Sequence, residues 1–271
     1  MRISSYFAKD LFSGKTVFVT GGGSGINLGI AKCFATLGAS IGICGRTQEK
    51  LDRAAEELRA LGAKVCAVPA DVRDFAALEA AIAKSEHEVG PMSTLVCGAA
   101  GNFPCPAEAL SPNGFKAVVD IDLLGSFNAS RAALSQLQKT RGNIIFISAG
   151  QAFLPYMAQC HVGAAKAGID NLMRCLALEW GGYGIRCNSI APGPIEGTEG
   201  FNRLLPEGMR DAFLEAIPLR RFGSVEDIGQ LAVFLSSPLA EYITGAFIVA
   251  DGGQNLPGSG IFTHLFAEAM G

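Results

Sequence analysis

Lys15-Thr16-Val17-Phe18-Val19-Thr20, running straight into Gly21-Gly22-Gly23-Ser24-Gly25-Ile26-Asn27, is the stretch that decides the fold. The first six residues are short, apolar and rich in β-branched types, the pattern of a strand buried on both faces. The glycines then let the backbone approach a ligand closely, and a helix follows whose first N–H groups lack intrahelical partners. A glycine run alone reads as a tight turn. Directly after a first strand and opening a helix, it reads as the pyrophosphate cradle of a dinucleotide. Gly21, Gly23, Ser24, Gly25 and Ile26 are its predicted contacts.

The same alternation continues outward from this point. SIGICG (40–45), KVCAVP (64–69), TLVCG (94–98), NIIFIS (143–148), IRCNSI (185–190) and AFIVA (246–250) repeat the strand pattern. Helical segments lie between them, such as TQEKLDRAAEELRALG (47–62), which ends on a glycine stop signal. Repeated βα units predict an α/β fold: a single-domain Rossmann fold over residues 1–271, with a doubly wound, seven-stranded parallel sheet and helices on both faces. No Pro/Ser linker or internal repeat divides the chain. The tail, 254–271, is apolar and Gly-rich, and is expected to pack either on a partner subunit or back on its own core.

Composition removes other classes. With 49% hydrophobic and 17% charged residues, disorder is excluded. A net charge of −3 leaves no basic footprint for nucleic acid. No apolar run is long enough to span a membrane as a helix. The eight cysteines show no CxxC spacing, most sit inside apolar runs, and no metal site is expected. Reduced thiols point to a reducing compartment. The start MRISSYFAKDLF lacks a leader pattern and the end EAMG is no peroxisomal address, so the expected location is cytoplasmic.

The second predicted strand ends Cys44-Gly45-Arg46-Thr47, where an acidic residue would hold a ribose 2′-hydroxyl. An arginine there suits a 2′-phosphate instead, which favours NADPH; the plain alternative is a solvated helix-start arginine. After the third strand come Ala70-Asp71-Val72. Asp71 either accepts from an adenine amine or caps the helix beginning near Asp74.

TGGGSG, then AAG after the fourth strand, a lysine in a later helix, and Pro192-Gly193-Pro194 after the sixth strand together resemble the short-chain dehydrogenase/reductases over essentially the whole chain. Within that superfamily, Ala99-Ala100-Gly101-Asn102-Phe103, Asp120-Ile121-Asp122, His161-Val162-Gly163-Ala164-Ala165-Lys166 and Gly193-Pro194-Ile195 leading to Gly197-Thr198-Glu199-Gly200 resemble the 2,4-dienoyl-CoA reductases, nearer their peroxisomal-type branch. The resemblance implies an acyl-CoA substrate, a homotetramer, cofactor contacts at Val72, Ala99, Lys166, Pro192, Gly193 and Ile195, and substrate contacts at Asn102, Phe103, Gly197 and Thr198. It also implies a mobile substrate lid at 197–217. Arg203, Arg210, Arg220 and Arg221 in or just beyond it are candidates for coenzyme A phosphates, or plain solvated arginines.

Departures from the family pattern carry equal weight. Val162 stands where the superfamily keeps its catalytic tyrosine, Ala149 where it keeps a serine, and Asp122 where it keeps an asparagine. Gln151 occupies the position of the tyrosine used by another dienoyl-CoA reductase branch. Asn27 replaces a third glycine, and Cys97-Gly98 replaces an Asn-Asn pair. Ketone reduction needs an acid at the carbonyl oxygen, whereas conjugate reduction spreads charge to a distant thioester oxygen and ends with protonation of carbon. Loss of tyrosine and serine fits the second. The resemblance implies that Asp122 and Lys166 position a water between them as the proton source, with Lys166 also holding the nicotinamide ribose. His161 is the third catalytic candidate, through the thioester carbonyl or as a proton donor near neutral pH. For Asp122 the plain alternative is a buried helix cap. Two rival functions stand beside this one: a related reductase of another enoyl or ketoacyl substrate, and a catalytically silent dinucleotide sensor.

Overall fold

The structure is a computed structural model that describes residues 2–204, 208 and 210–257. Its strands are Thr16–Thr20 (β1), Ser40–Gly45 (β2), Val65–Pro69 (β3), Met92–Cys97 (β4), Asn143–Ile147 (β5), Arg186–Pro192 (β6) and Phe247–Ala250 (β7). They form one sheet of seven in the order β3-β2-β1-β4-β5-β6-β7. Every neighbouring pair is parallel. This is the doubly wound Rossmann sheet expected from the sequence. β4 starts two residues earlier than its apolar run, at Met92, because Met92 pairs with Thr16 before the register shifts.

The strands alternate between two cores. Val17, Val19, Ile41, Ile43, Ile145 and Ile190 point to one face, packed by helices Gly25–Thr36 (α1), Gln48–Ala60 (α2) and, late in the chain, Val225–Ser236 (α9). Phe18, Cys44, Leu95, Ile144, Phe146 and Cys187 point to the other, under Phe75–Val89 (α3), Gly125–Thr140 (α5) and Cys160–Trp180 (α6). Both faces are apolar because both are covered, which is why the strands read as continuous rather than alternating. Each fully buried Ile, Phe or Leu contributes about 2 kcal/mol. α1 and α9 cross at near backbone contact. A Cβ on Gly29 would lie 2.5 Å from Val225 Cβ, and one on Gly229 would lie 2.3 Å from Cys33 Sγ.

Pro112–Val119 (α4) joins α5 through a turn of π-helix at Asp120–Leu124. The wider turn carries an extra residue, a feature often found at functional sites. Two helices lie in the predicted lid, Glu199–Leu204 (α7) and Arg210–Ala216 (α8), and a bridge between Ile195 and Gly223 joins the chain on either side of that segment. Of the predicted tail, 254–257 follows β7 closely; its remainder lies outside the described residues. No described helix is long and apolar enough to cross a membrane.

α9 opens just after the lid on a reciprocal cap: Ser224 Oγ accepts the Asp227 N–H at 3.2 Å, and the Asp227 carboxylate accepts the Ser224 N–H at 2.7 Å. Arg221 grips the same carboxylate at 2.8 and 3.0 Å. That pairing, ahead of the two serine hydrogen bonds, pulls the Asp227 pKa down to about 2. Because the native pKa is depressed, the stabilisation is complete above the ordinary carboxylate range and is lost as pH falls toward 2. Asp227→Asn, discounted for solvent exposure of the pair, is expected to cost about 1 kcal/mol at pH 7. Urea unfolding across pH checks it: the difference should shrink as pH falls from about 4 to about 2.

Candidate active site

Winding reverses between β1 and β4, and a crevice opens beyond their carboxyl ends. Thr20 Oγ1 accepts the N–H groups of Gly98 and Ala99 at 3.1 and 3.2 Å, which pins the loop after β4 to the end of β1. The crevice is a cleft of about 520 Å³. Gly21, Gly23, Ser24, Gly25, Ile26, Arg46, Asp71, Val72, Ala99, Lys166, Pro192, Gly193 and Ile195 all line it. Ser24 precedes α1 but its side chain caps none of the helix N–H groups, so these donors stay available to an anionic ligand. Arg46 and Lys50 bring positive charge to the same cleft, and Lys50 also pairs with Glu199 of α7 at 2.6 Å. A glycine-lined helix N-terminus with cations beyond it fits a phosphorylated dinucleotide.

Asp71 does not cap α3. Asp74 does, accepting the Ala77 N–H at 3.0 Å. Asp71 instead accepts the Arg73 guanidinium at 2.6 Å and the Arg73 N–H at 3.0 Å. The Arg73 hydrogen bonds hold its carboxyl below the usual range, with Arg46 adding to the effect.

The chemistry-bearing groups meet on the cleft wall. The π-turn presents Asp122 and the second turn of α6 presents Lys166, and both line the cleft although Asp122 is fully buried. Asp122 Oδ1 accepts the Gly101 N–H at 2.7 Å. Lys166 Nζ donates to the Ile147 carbonyl at 3.0 Å and lies 3.1 Å from Asp122 Oδ2. The expected water between them has no room: the two charges touch directly, because π-turn and α6 pack side by side. The contact is an ion pair and not a hydrogen bond, and Oδ2 accepts no hydrogen bond among the described residues. Lys166 retains one N–H beyond those two contacts. Asp122 caps no helix. Removing either partner alone would leave a buried charge uncompensated, so the two must occur together.

Val162 and Ala149 line the cleft and bring no hydroxyl to it. Ser148, the neighbouring residue, donates its hydroxyl to the buried Asp170 at 2.8 Å. Burial raises the Asp170 pKa. Among the described residues Tyr156 is the one tyrosine on the wall. Its hydroxyl donates to Asn255 Oδ1 at 2.6 Å, and Asn255 Nδ2 donates to Asp251 at 2.8 Å. Burial, then the Asp251 carboxylate, pushes the phenol pKa up, so Tyr156 is a poor stand-in for the missing acid.

Other candidate residues divide between the wall and the structure behind it. Asn102 lines the cleft. Thr198 lines it too, but its hydroxyl donates to the Ile195 carbonyl at 2.9 Å and accepts the Phe201 N–H at 3.1 Å, starting α7. His161, Phe103 and Gly197 are not on the wall. His161 is fully buried, its ring 4.7 Å from that of Phe103, and neither nitrogen has a partner among the described residues. Gly197 supplies the left-handed turn (φ 77°) before α7. The arginines are engaged elsewhere: Arg210 with Glu196 at 2.5 Å, Arg220 with the Glu215 carbonyl, Arg221 with Asp227; the Arg203 side chain lies outside the described residues. All eight cysteines are free thiols, five of them buried; Cys160 and Cys175 are exposed. Residue-by-residue reading missed Tyr156, Asn255, Gly101 and Ile147. Gly101 and Ile147 act through backbone groups, which side-chain identity does not signal.

Residues 21–255 match the family model described as enoyl-(acyl carrier protein) reductase. The chain is 45% identical to the peroxisomal 2,4-dienoyl-CoA reductase [(3E)-enoyl-CoA-producing] of Saccharomyces cerevisiae, covering 96% of this chain and 91% of that one. It is 42% identical to the Arabidopsis thaliana protein of the same description, with 93% and 88% covered. Among solved structures, a short chain dehydrogenase from Bacillus anthracis superposes with TM-score 0.81 at 39% identity, covering 89% of this chain and 96% of that one. A gluconate 5-dehydrogenase from Burkholderia cenocepacia, solved with NADP and tartrate, gives 0.85 at 29%, with 92% and 98% covered.

Proposed function

The chain belongs to the short-chain dehydrogenase/reductase family, and we propose that this oxidoreductase uses NADPH to reduce a conjugated carbon–carbon double bond in a 2,4-dienoyl-CoA. One observation carries the reading: a buried Asp122–Lys166 ion pair lines the cleft where Val162 and Ala149 offer no hydroxyl acid. The curated relatives named as 2,4-dienoyl-CoA reductases support the substrate class.

The bound reduced dinucleotide would supply the hydride. Charge then moves through the diene to the thioester oxygen as a dienolate. The Lys166 ammonium, anchored by the Ile147 carbonyl and charge-balanced by Asp122, is a preorganised cation that lowers the energy of that charge. The unfilled position on Asp122 Oδ2 suits a water held beside, not between, the two charges. That water gives its proton to carbon and is reprotonated from solvent. The Gly101 N–H keeps the carboxylate oriented. Arg46 and Lys50 suit a 2′-phosphate, so the phosphorylated dinucleotide is the one expected.

NADPH oxidation should be seen with 2,4-hexadienoyl-CoA and be negligible with a 3-ketoacyl-CoA; the reverse preference would overturn the substrate reading. Asp122→Asn should lower kcat roughly a hundredfold with little change in NADPH affinity. If His161→Ala abolishes turnover while Asp122→Asn does not, the acid has been assigned to the wrong residue.

Arg46→Asp should reverse the preference for NADPH over NADH, read as two dissociation constants by nicotinamide fluorescence. Equal affinities in the unaltered protein would refute the role given to Arg46.

A homotetramer is also proposed. The helices α4 to α6 leave Phe115, Phe127 and Leu178 exposed, the last at 85%, and closed symmetry is the usual way to cover such faces. Light scattering at micromolar concentration should return four times 28.2 kDa; a monomer mass would refute it.

A further inference from the structure

Asn27 sits at the point where the sheet reverses. Its Nδ2 donates to the Gly98 carbonyl at 2.8 Å and toward the Gly21 carbonyl at 3.3 Å. Gly21 follows β1 and Gly98 follows β4, so one amide holds both lips of the crevice. Gly98 is what makes room for it. A Cβ on Gly98 would lie 2.1 Å from Asn27 Oδ1, 2.5 Å from Cγ and 2.7 Å from Nδ2. The three nearest atoms all belong to Asn27. Gly98 is not among the residues with positive φ, so its backbone would itself accept a side chain. The glycine is required by its neighbour, not by its own conformation. Gly21 completes the interlock: at φ 67°, it has Asn27 Nδ2 3.0 Å and Ala99 Cα 2.9 Å from where its Cβ would be.

We propose that Asn27 and Gly98 form one reciprocal size pair that sets the spacing of the dinucleotide crevice, with Asn27 as a positioning residue and Gly98 as its obligatory complement. The inference rests on the dinucleotide reading of the cleft. Any side chain at 98 must push the Asn27 amide off both carbonyls. The lips then lose their tie, and the Gly21 and Ala99 backbones that line the cleft move with them. With glycine at 27, the three atoms nearest that Cβ are gone, and the same side chain is expected to be tolerated.

NADPH titration by fluorescence of four proteins tests this: unaltered, Gly98→Ala, Asn27→Gly, and the double variant. Gly98→Ala is expected to weaken NADPH binding about tenfold or more, Asn27→Gly about threefold, and the double variant no more than Asn27→Gly alone, the non-additivity expected of touching residues. In steady state the loss should fall on KM for NADPH, with kcat at saturation within about twofold, since neither residue touches Asp122 or Lys166. If Gly98→Ala proves too unstable to titrate, the melting temperatures of the four proteins report the same coupling. Recovery in the double variant supports the pair, and no recovery overturns it. Gly98→Ala equally damaging with glycine at 27, or harmless with Asn27 in place, overturns it too. Failure of the unaltered protein to bind any dinucleotide overturns the reading of the cleft itself, and the pair with it.

Discussion

A parallel sheet covered on both faces buries nearly everything it is made of, and in this protein that constraint governs where function can reside. With apolar side chains above and below, the five inner strands expose polar backbone only at their ends. The order β3-β2-β1-β4 sends the connections after β1 and β4 to opposite sides, so the two carboxyl ends part and leave a crevice. Thr20 and Asn27 then tie the two lips of the crevice together by side-chain hydrogen bonds to the Gly98 backbone. The glycine cradle, the ion pair, the start of α7 and the segment after β7 are all arranged around that opening.

Inside it, the electrostatics are those of a buried ion pair, not of a titrating phenol. A carboxylate excluded from water is costly unless a cation and hydrogen-bond donors meet it. Asp122 has both, from Lys166 and from the Gly101 backbone. The π-turn is what brings the carboxylate to α6, since it inserts its extra residue at Asp120–Leu124. A fixed pair of charges suits a reaction in which negative charge appears on an oxygen remote from the carbon that accepts hydride. A tyrosine at the position of Val162 would serve the opposite geometry, with charge developing beside it.

Much of this was legible along the chain because the signals are local. Strand runs, the glycine cradle and the placement of Arg46 depend on neighbours within a few residues. The partnership of Asp122 and Lys166 was also readable, through resemblance. What residue type alone did not signal was which partner each polar side chain would take. Asp71 and Asp74 are equally good helix caps by residue type, but Asp74 takes that place and Arg73 holds the Asp71 carboxylate. His161 and Phe103 share sequence runs with wall residues, yet neither lines the cleft, and their rings meet at a 49° tilt, 4.7 Å apart. Arg210 and Arg221 look alike in sequence to ligand-binding arginines, but acidic partners at Glu196 and Asp227 already hold them.

The sequence alone determined that seven apolar runs would stack as parallel strands, that a phosphate cradle would follow the first, and that no hydroxyl acid would stand four residues before Lys166. These follow from periodicity and residue chemistry, which need no knowledge of what packs against what. Only the tertiary structure decided that Asp122 and Lys166 touch without an intervening water, that the Tyr156 phenol is committed to Asn255, and that Asn27 fills the space a side chain at Gly98 would need. Each of those depends on a distance between residues far apart in the chain, set by how helices pack on the sheet.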